Sequence, residues 1–316
     1  MPNNMYQHTQ EIRDLINNTK KKYALLKNLK FWNQMCSSLD VIGDADLAID
    51  FYLNNDFPKC EGGKYLQVYG VLQALFIQQN AVAHLCESLS MSFKFENHQD
   101  LLDIRKIRNE SIGHPTKKGS KKELKTYHFI SRPTISKVGF QLMTCCEKGK
   151  TEFKNILIDE IIKKQRKILS DVLQSLRAKL CSEEQAHKKK FRMNKLAEIF
   201  SQAHYFVEKI YDGLKGGDKI PIGKIGIQMI KKEILGKFAS KLKERAIELE
   251  AYDSIKYIYD LLEYPIDGLN TYFNRLENNK KTNINAQVAY IFWFFVREHI
   301  EELEEIAKDI DAEYTS

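Results

Sequence analysis

An arginine and a histidine with complementary chemical abilities stand close together in the first half of the chain. Arg108 is followed directly by Asn109, and five residues separate Arg108 from His114. A histidine titrates near neutral pH, so it can accept or deliver a proton. An arginine stays charged and can hold anionic oxygens through parallel hydrogen bonds. These residue types at this spacing favour proton transfer beside a phosphate.

The residues around the pair predict a helix that carries Arg108 and stops before His114. Apolar residues face inward on a helix from about residue 98 to 112, at Leu101, Leu102, Ile104 and Ile107. Gly113 and Pro115 flank His114; glycine readily adopts a left-handed conformation after a last turn, and a residue before proline leaves the helical region. In an unbroken helix His114 would project about 120° away from Arg108. The stop therefore lets the imidazole fold back toward the guanidinium.

With this layout, residues 10–180 resemble the HEPN family of proteins. The resemblance is carried by Arg108, by the polar Asn109 directly after it, by His114 at the spacing that HEPN nucleases use, and by the long helix before them. It implies a mostly α fold, a HEPN-like helical bundle, here with a small β-hairpin insertion and a C-terminal helical region. It also implies a metal-independent endoribonuclease that needs no cofactor.

The resemblance assigns a role to each residue of the motif. His114 moves the proton of the attacking 2′-hydroxyl, Arg108 holds the charge on the phosphate, and Asn109 orients the histidine or the phosphate. The products implied are a 2′,3′-cyclic phosphate and a 5′-hydroxyl, and DNA is inert because it lacks the 2′-hydroxyl. One motif supplies one histidine, whereas the reaction uses a base and an acid, so the family pairs two motifs in a homodimer with a composite active site.

The expected partners are therefore RNA and a second copy of the chain, with an antitoxin or regulatory protein as a further partner. Stand-alone members of the family commonly serve as prokaryotic toxins or anti-phage effectors. Three other interpretations remain open. Arg108 and His114 could simply cap carbonyls at a helix end. The chain could be a catalytically silent HEPN module that binds a nucleotide, a partner nucleotidyltransferase or an antitoxin. It could also be a helical scaffold with no role on RNA.

The charge distribution suggests where RNA would bind. The formal net charge is +7, and lysines crowd the segment after the motif at Lys117, Lys118, Lys121, Lys122 and Lys125. The first four, together with Arg105 one turn before Arg108, are the predicted RNA contacts; a solvated surface is the alternative. His84 and Glu87 on the preceding helix are candidates to support the site from behind. The C-terminal segment is acidic, at Glu301, Glu302, Glu304, Glu305, Asp309, Asp311 and Glu313. A solvated helix face is the favoured interpretation, and a helix that lies against the basic segment after His114 and competes with RNA is the alternative.

Hydrophobic periodicity predicts an organisation into two domains. The first, residues 1–185, is HEPN-like, with helices over 10–39, 45–53, 65–89, 98–112 and 151–181 and a β-hairpin near 126–146. Residues 60–64 are expected to form a loop. The second domain, residues 193–316, has an unknown role and helices over 193–213, 222–248, 250–276 with a kink or break at Pro265, and 285–311. The predicted helix 65–89 carries a stripe spaced by four and three residues at Val68, Leu72, Leu75, Gln79, Val82, Cys86 and Leu89.

Other features narrow the class of protein. The six cysteines include no pair at metal-ligand spacing, so we expect reduced thiols, no metal site and no disulfide framework. The longest apolar run, residues 288–296, is too short to span a bilayer, and the first residues lack the pattern of a signal peptide. These observations favour a cytoplasmic protein that does not act at a membrane.

Overall fold

A computed structural model describes residues 4–17, 25–113, 115–118, 125–249, 252–278 and 284–315. The chain forms two compact units, Met1–Cys181 and Ser182–Ser316. The first unit combines helices with a small antiparallel sheet, and the second is helical in its described residues. The predicted mostly helical class is confirmed.

Among the described residues, four α-helices precede the sheet in the first unit. They are α1 (Asn4–Asn17), α2 (Leu29–Asn54), α3 (Glu61–Ser88) and α4 (Gln99–Arg108). The last of them continues directly into one turn of π-helix, Asn109–Gly113, which we call the π segment. All seven residues of the predicted α3 stripe are buried, because spacings of four and three keep them on one face of the helix.

The boundaries of the first helices differ from those predicted. Residues 10–39 do not form one helix, since α1 ends at Asn17 and α2 begins after Asn28, whose side chain accepts a hydrogen bond from the Phe31 amide. The α2 helix then includes residues 45–53, which were expected to form a separate short helix. The expected loop at residues 60–64 is instead the first turn of α3. Sequence patterns locate such ends poorly because tertiary packing extends or shortens the last turns.

The sheet has three antiparallel strands in the order β1 (Thr126–Ile130), β2 (Gly139–Cys146) and β3 (Thr151–Leu157). The first two strands confirm the predicted hairpin. The third corrects the prediction, which placed residues 151–157 at the start of a helix. Gly149, with φ of +83°, makes the tight turn, and β3 then pairs with β2 along its length. This pairing, rather than helical packing, decides its conformation, and Phe153 and Leu157 stay exposed.

The sheet is followed by α5 (Ile158–Phe191), which passes from the first unit into the second. In the first unit the apolar core has two parts. One is built from helices alone and includes Ile12, Leu85 and Leu173. The other includes Leu72 of α3, Ile107 of α4 and residues of the inner sheet face. The α4 helix is therefore held between α3 and the sheet, and this fixes the direction of its polar side chains.

The second unit contains α6 (Ala203–Leu214), α7 (Ile220–Met229), a π-helical stretch (Ile230–Gly236), α8 (Lys237–Glu244), α9 (Asp253–Glu277) and α10 (Ala286–Glu313). Pro265 lies inside α9 without ending it. Within the described ranges, no helix has the length and apolar character that crossing a bilayer requires.

Candidate functional site

The guanidinium of Arg108 is held by neighbouring polar groups. Its Nε and Nη2 donate to Oε1 of Gln73 on α3 at 3.0 and 2.8 Å, and its Nη1 donates to Oδ1 of Asn109 at 3.0 Å. A guanidinium has five N–H groups, and the bonds to described residues use one N–H on Nε and one on each terminal nitrogen. Within the described ranges each terminal nitrogen therefore keeps one N–H, and guanidinium N–H groups bind the oxygens of a phosphate.

Aromatic rings contact the guanidinium groups of Arg108 and of Arg105, which also lies on α4. The Arg108 guanidinium carbon lies 4.4 Å from the ring centre of Phe76. One helical turn earlier, the Arg105 guanidinium lies 4.2 Å from Phe76 and 4.0 Å from Phe95, and its Nη1 donates to Asn80 at 2.9 Å. Burial lowers the pKa of Arg105, Glu96 raises it, and Arg108 lowers it. Two cationic side chains thus lie against the ring of Phe76, and a bound anion would relieve their mutual repulsion.

The π segment shapes the backbone at the motif. A π turn inserts an extra residue into a helix and occurs frequently at functional sites. Here it begins at Asn109 and ends at Gly113, and Gly113 has no positive φ, so the left-handed stop expected there is wrong. A Cβ at Gly113 would stand 2.8 Å from Nη1 of Arg108 and 3.3 Å from Oδ1 of Asn109. Because glycine has no Cβ, the Arg108 guanidinium can occupy the space beside residue 113.

His114 lies outside the described residues, and the chain reappears immediately after it beside β1. The His128 amide donates to the Pro115 carbonyl at 2.8 Å, and Lys118 and Thr126 exchange two backbone hydrogen bonds of 2.9 Å. Residues 115–118 are therefore anchored along β1. Gly113 and Pro115, which precede and follow His114 in the sequence, are both described.

The predicted RNA contacts have different surroundings. Arg105 is packed as described above, Lys117 is exposed, and Nζ of Lys118 donates to Oε1 of the buried Glu110 at 2.9 Å. Lys121 and Lys122 lie outside the described residues. Arg105 therefore lies beside Phe76 together with Arg108, and the ammonium group of Lys118 is paired with the carboxylate of Glu110.

The two residues predicted to support the site lie further along α3. His84 and Glu87 are exposed, and Gln34 of α2 donates to the His84 carbonyl at 3.1 Å and to Oε2 of Glu87 at 2.7 Å. Within the described ranges, no hydrogen bond joins either of them to Arg108 or Asn109. Their support of the site stays a prediction.

Spacing alone marks a polar stripe beside the buried one on α3, but it does not show that the members of the stripe are the partners of the two arginines. Gln73, Phe76 and Asn80 are spaced by three and four residues along α3, so they form one polar and aromatic stripe beside the buried one. Gln79, the polar member of the buried stripe, donates from Nε2 to Oε1 of Gln165 on α5 at 2.7 Å. A polar stripe beside an apolar one indicates a second contact surface on α3, and here that surface contacts the arginines of α4.

The arrangement can hold an oxyanion at the guanidinium of Arg108, which five residues separate from His114 in the sequence. Among the described residues, no group of three or more histidine, cysteine, aspartate or glutamate side chains is arranged to hold a metal ion. Comparison of the chain with protein-family models, with curated proteins and with solved structures gave no match.

Proposed function

We propose that this chain is a HEPN-like, metal-independent endoribonuclease with Arg108, Asn109 and His114 at its centre. The observation that carries the proposal is the held guanidinium of Arg108, which is bonded to Gln73 and Asn109 and keeps an N–H on each terminal nitrogen that no described residue accepts. A preorganised donor pair stabilises charge that develops on a phosphate without reorganising during the reaction. A helix cap has no need of such an arrangement.

The proposed reaction is an attack of the RNA 2′-oxygen on the adjacent phosphorus. The O2′–P bond forms, the P–O5′ bond breaks, a base takes the 2′-hydroxyl proton and an acid delivers a proton to O5′. His114 serves as one of these two groups, and the His114 of a second copy serves as the other. Arg108 carries the phosphate charge, and Asn109, which accepts from Nη1 of Arg108 at 3.0 Å, keeps the guanidinium directed.

A homodimer is supported by exposed apolar side chains next to the motif. On α3, Leu66 is 74% exposed and Tyr69 is 40% exposed, and both precede Gln73 on the stripe that contacts Arg108. On α2, Leu47 and Phe51 are also exposed. These side chains flank the short connection between α2 and α3. Burying them against a second copy would remove apolar surface from water and bring two motifs toward one another.

Purified protein and a mixed RNA substrate test the proposal. We expect Arg108→Ala and His114→Ala each to lower the cleavage rate by at least about 10²-fold, the low end for losing an acid–base group, and Asn109→Ala to have a milder effect. A Leu66→Glu variant should lower both the fraction of dimer in solution and the cleavage rate. Tyr257→Glu, at an exposed aromatic residue of the second unit, should change neither quantity. Full activity in Arg108→Ala and His114→Ala would overturn the assignment of the site.

The proposed biological role is that of a toxin or an anti-phage effector in a prokaryotic cytoplasm, restrained by an antitoxin or regulatory protein. Expression of the wild type beside His114→Ala in a bacterial host tests this role. We expect arrested growth and degraded RNA with the wild type alone. Equal growth and intact RNA in both cultures would contradict it.

A further inference from the structure

The sheet of the first unit has one edge that no described residue covers. The outer edge of β1 is occupied, because Lys118 and Thr126 exchange two backbone hydrogen bonds and the His128 amide donates to the Pro115 carbonyl. Within the described ranges β3, at the other edge, pairs with β2 alone. A bare strand edge presents N–H and C=O groups to which another strand can bond.

The pairing of β3 with β2 decides which of its backbone groups face the open edge. The Cys146 amide donates to the Lys150 carbonyl, so the backbone of Lys150 bonds toward β2. The register from there to the end of β3 is unbroken, and residue pairs along an antiparallel ladder alternate between hydrogen-bonded and non-hydrogen-bonded. Three residues of β3 therefore turn their N–H and C=O groups outward: Thr151, Phe153 and Asn155.

The sequence of β3 is complementary to itself when two copies run antiparallel. With Phe153 opposite the same residue of a second copy, Thr151 lies opposite Asn155, so the outward backbone groups of both chains meet one another. The residues between them form the closer, non-hydrogen-bonded pairs. In those pairs Glu152 of each copy lies opposite Lys154 of the other, and both side chains are exposed.

Charge selects this register over its neighbours. A shift that still joins the outward backbone groups moves the twofold axis from Phe153 to Glu152 or to Lys154. It then sets two carboxylates, or two ammonium groups, directly opposite each other. Like charges directly opposite are destabilising across a pair of strands, whereas opposite charges stabilise it. The register centred on Phe153 is therefore favoured.

An exposed apolar row on the sheet leads to the same point. Phe129 lies opposite Met143 in the register of β1 and β2, and Met143 lies opposite Phe153 in that of β2 and β3. Phe129 is 51% exposed and Phe153 is 61% exposed. Pairing at Phe153 continues this row into the second copy and makes the two Phe153 rings neighbours. Such cross-strand aromatic pairs stabilise a sheet and remove apolar surface from water.

We propose that β3 docks against β3 of a second copy of this chain, antiparallel and centred on Phe153, so that two three-stranded sheets become one six-stranded sheet. This contact is separate from the one assigned above to α2 and α3. It uses residues 151–155 of each chain, far fewer than the roughly 20–30 residues a side of a standard interface. The pairing is therefore weak by itself, and at high protein concentration it links dimers into larger assemblies.

Disulfide trapping of the full-length protein with oxidised glutathione detects this contact by position. A hydrogen-bonded antiparallel pair holds its Cα atoms about 5.5 Å apart, which a disulfide spans, so Phe153→Cys should link two copies on a non-reducing gel. Phe129→Cys is the matched control, because the pairing leaves residue 129 about 24 Å from its copy, five strand spacings away. Both variants carry Cys145→Ser, since Cys145 lies on the same sheet face, one pair further along.

Charge reversal tests the register. Added to Phe153→Cys, either Lys154→Glu or Glu152→Lys sets like charges opposite each other, and each should lower the rate of linking by at least about threefold. When these two reversed variants are mixed, opposite charges face each other again. Linking between the unlike chains, distinguished by an affinity tag on one of them, should then recover. Lys30→Glu reverses an exposed lysine of α2 and should leave the linking rate unchanged.

These measurements do not involve RNA cleavage, and none of the substituted residues belongs to the motif, so this contact and the proposed nuclease can fail separately. Equal linking by Phe153→Cys and Phe129→Cys would overturn the proposal, and so would linking that ignores the charge reversals. No linking by Phe153→Cys would leave the edge to a different chain or to solvent, and it would equally refute pairing with a second copy.

Discussion

The side-chain oxygen of Gln73 receives two hydrogen bonds from Arg108, from Nε at 3.0 Å and from Nη2 at 2.8 Å. Gln73 belongs to α3 and Arg108 to α4, so this contact fixes the guanidinium relative to a second helix. The direction of its remaining N–H groups therefore depends on packing between the two helices.

Gln73→Leu removes this acceptor and leaves the volume of the side chain nearly unchanged. We expect the turnover number for RNA cleavage to fall about tenfold or more with little change in KM, because a small misplacement of a charge-stabilising group is costly in the transition state. Gln141→Leu is the matched control, since Gln141 bonds to Asn155 on the sheet at 3.2 Å. Equal turnover in both variants would show that Gln73 does not position Arg108.

Gly113→Ala tests the space that the motif needs. The added Cβ would stand 2.8 Å from Nη1 of Arg108. Because Nη1 is at the flexible end of a side chain, we expect the guanidinium to shift while the backbone keeps its conformation. We expect lower cleavage with a melting temperature within a few degrees of the wild type. Gly43→Ala is the control, because a Cβ there meets nothing within 4 Å. Normal cleavage by Gly113→Ala would mean that Arg108 tolerates displacement.

The environment of His128 predicts a dependence of stability on pH. Burial lowers the pKa of His128 below its usual 6.5, Glu110 opposes the shift, and Lys118 and Lys106 reinforce it. A folded-state pKa below the unfolded value means that the unfolded chain binds the proton more readily. The contribution of His128 is therefore complete above pH about 6.5 and is lost as the pH falls toward the folded-state pKa.

Urea unfolding at pH 7.5 and pH 5.5 measures this contribution. We expect the wild type to lose more unfolding free energy between these values than His128→Gln does. His204→Gln, at an exposed position on α6, should keep the pH dependence of the wild type. Identical pH dependence in the wild type and His128→Gln would contradict the assignment.

Asp311 holds the second unit together through a buried ion pair. Its Oδ1 accepts from Nη1 of Arg245 at 2.9 Å, and its two oxygens accept from the amides of Leu196 and Ala197 at 3.0 and 2.9 Å. Removing one partner of a buried pair leaves an uncompensated charge, so Asp311→Ala should lower the unfolding free energy by about 3–5 kcal/mol. Asp309→Ala, two residues away and exposed, should change it by less than about 0.5 kcal/mol. Equal stability of the two variants in chemical denaturation would refute this role.

These residues show what the sequence could predict. The buried stripe of α3 follows from spacing alone, because its seven side chains share one helix face. Asp311 reads as one of a run of acidic residues and was interpreted as solvated surface, which is wrong, since only the fold brings Arg245 to it. The same limit applies to β3, whose conformation depends on pairing with β2, and to Gln73, whose partner is distant in the sequence.

The candidate site was predictable to the same extent. Arg108 and Asn109 could be selected from residue type and spacing, and their mutual hydrogen bond is a local feature of the helix end. The π turn and the crowding of Gly113 against Arg108 depend on exact backbone geometry, which apolar periodicity does not encode. The position of His128 between the hydroxyls of Thr126 and Thr144 depends on the pairing of β1 with β2, so no spacing in the sequence marks it.

The chemistry of the cleaved ends tests the proposed mechanism most directly. RNA incubated with the purified protein in EDTA is analysed for its new termini, with Arg108→Ala and His114→Ala as parallel samples. Attack by the internal 2′-oxygen predicts 2′,3′-cyclic phosphate and 5′-hydroxyl ends from the wild type and intact RNA from both variants. Ends carrying a 3′-hydroxyl and a 5′-phosphate, or cleavage that occurs only with added Mg²⁺, would contradict the account.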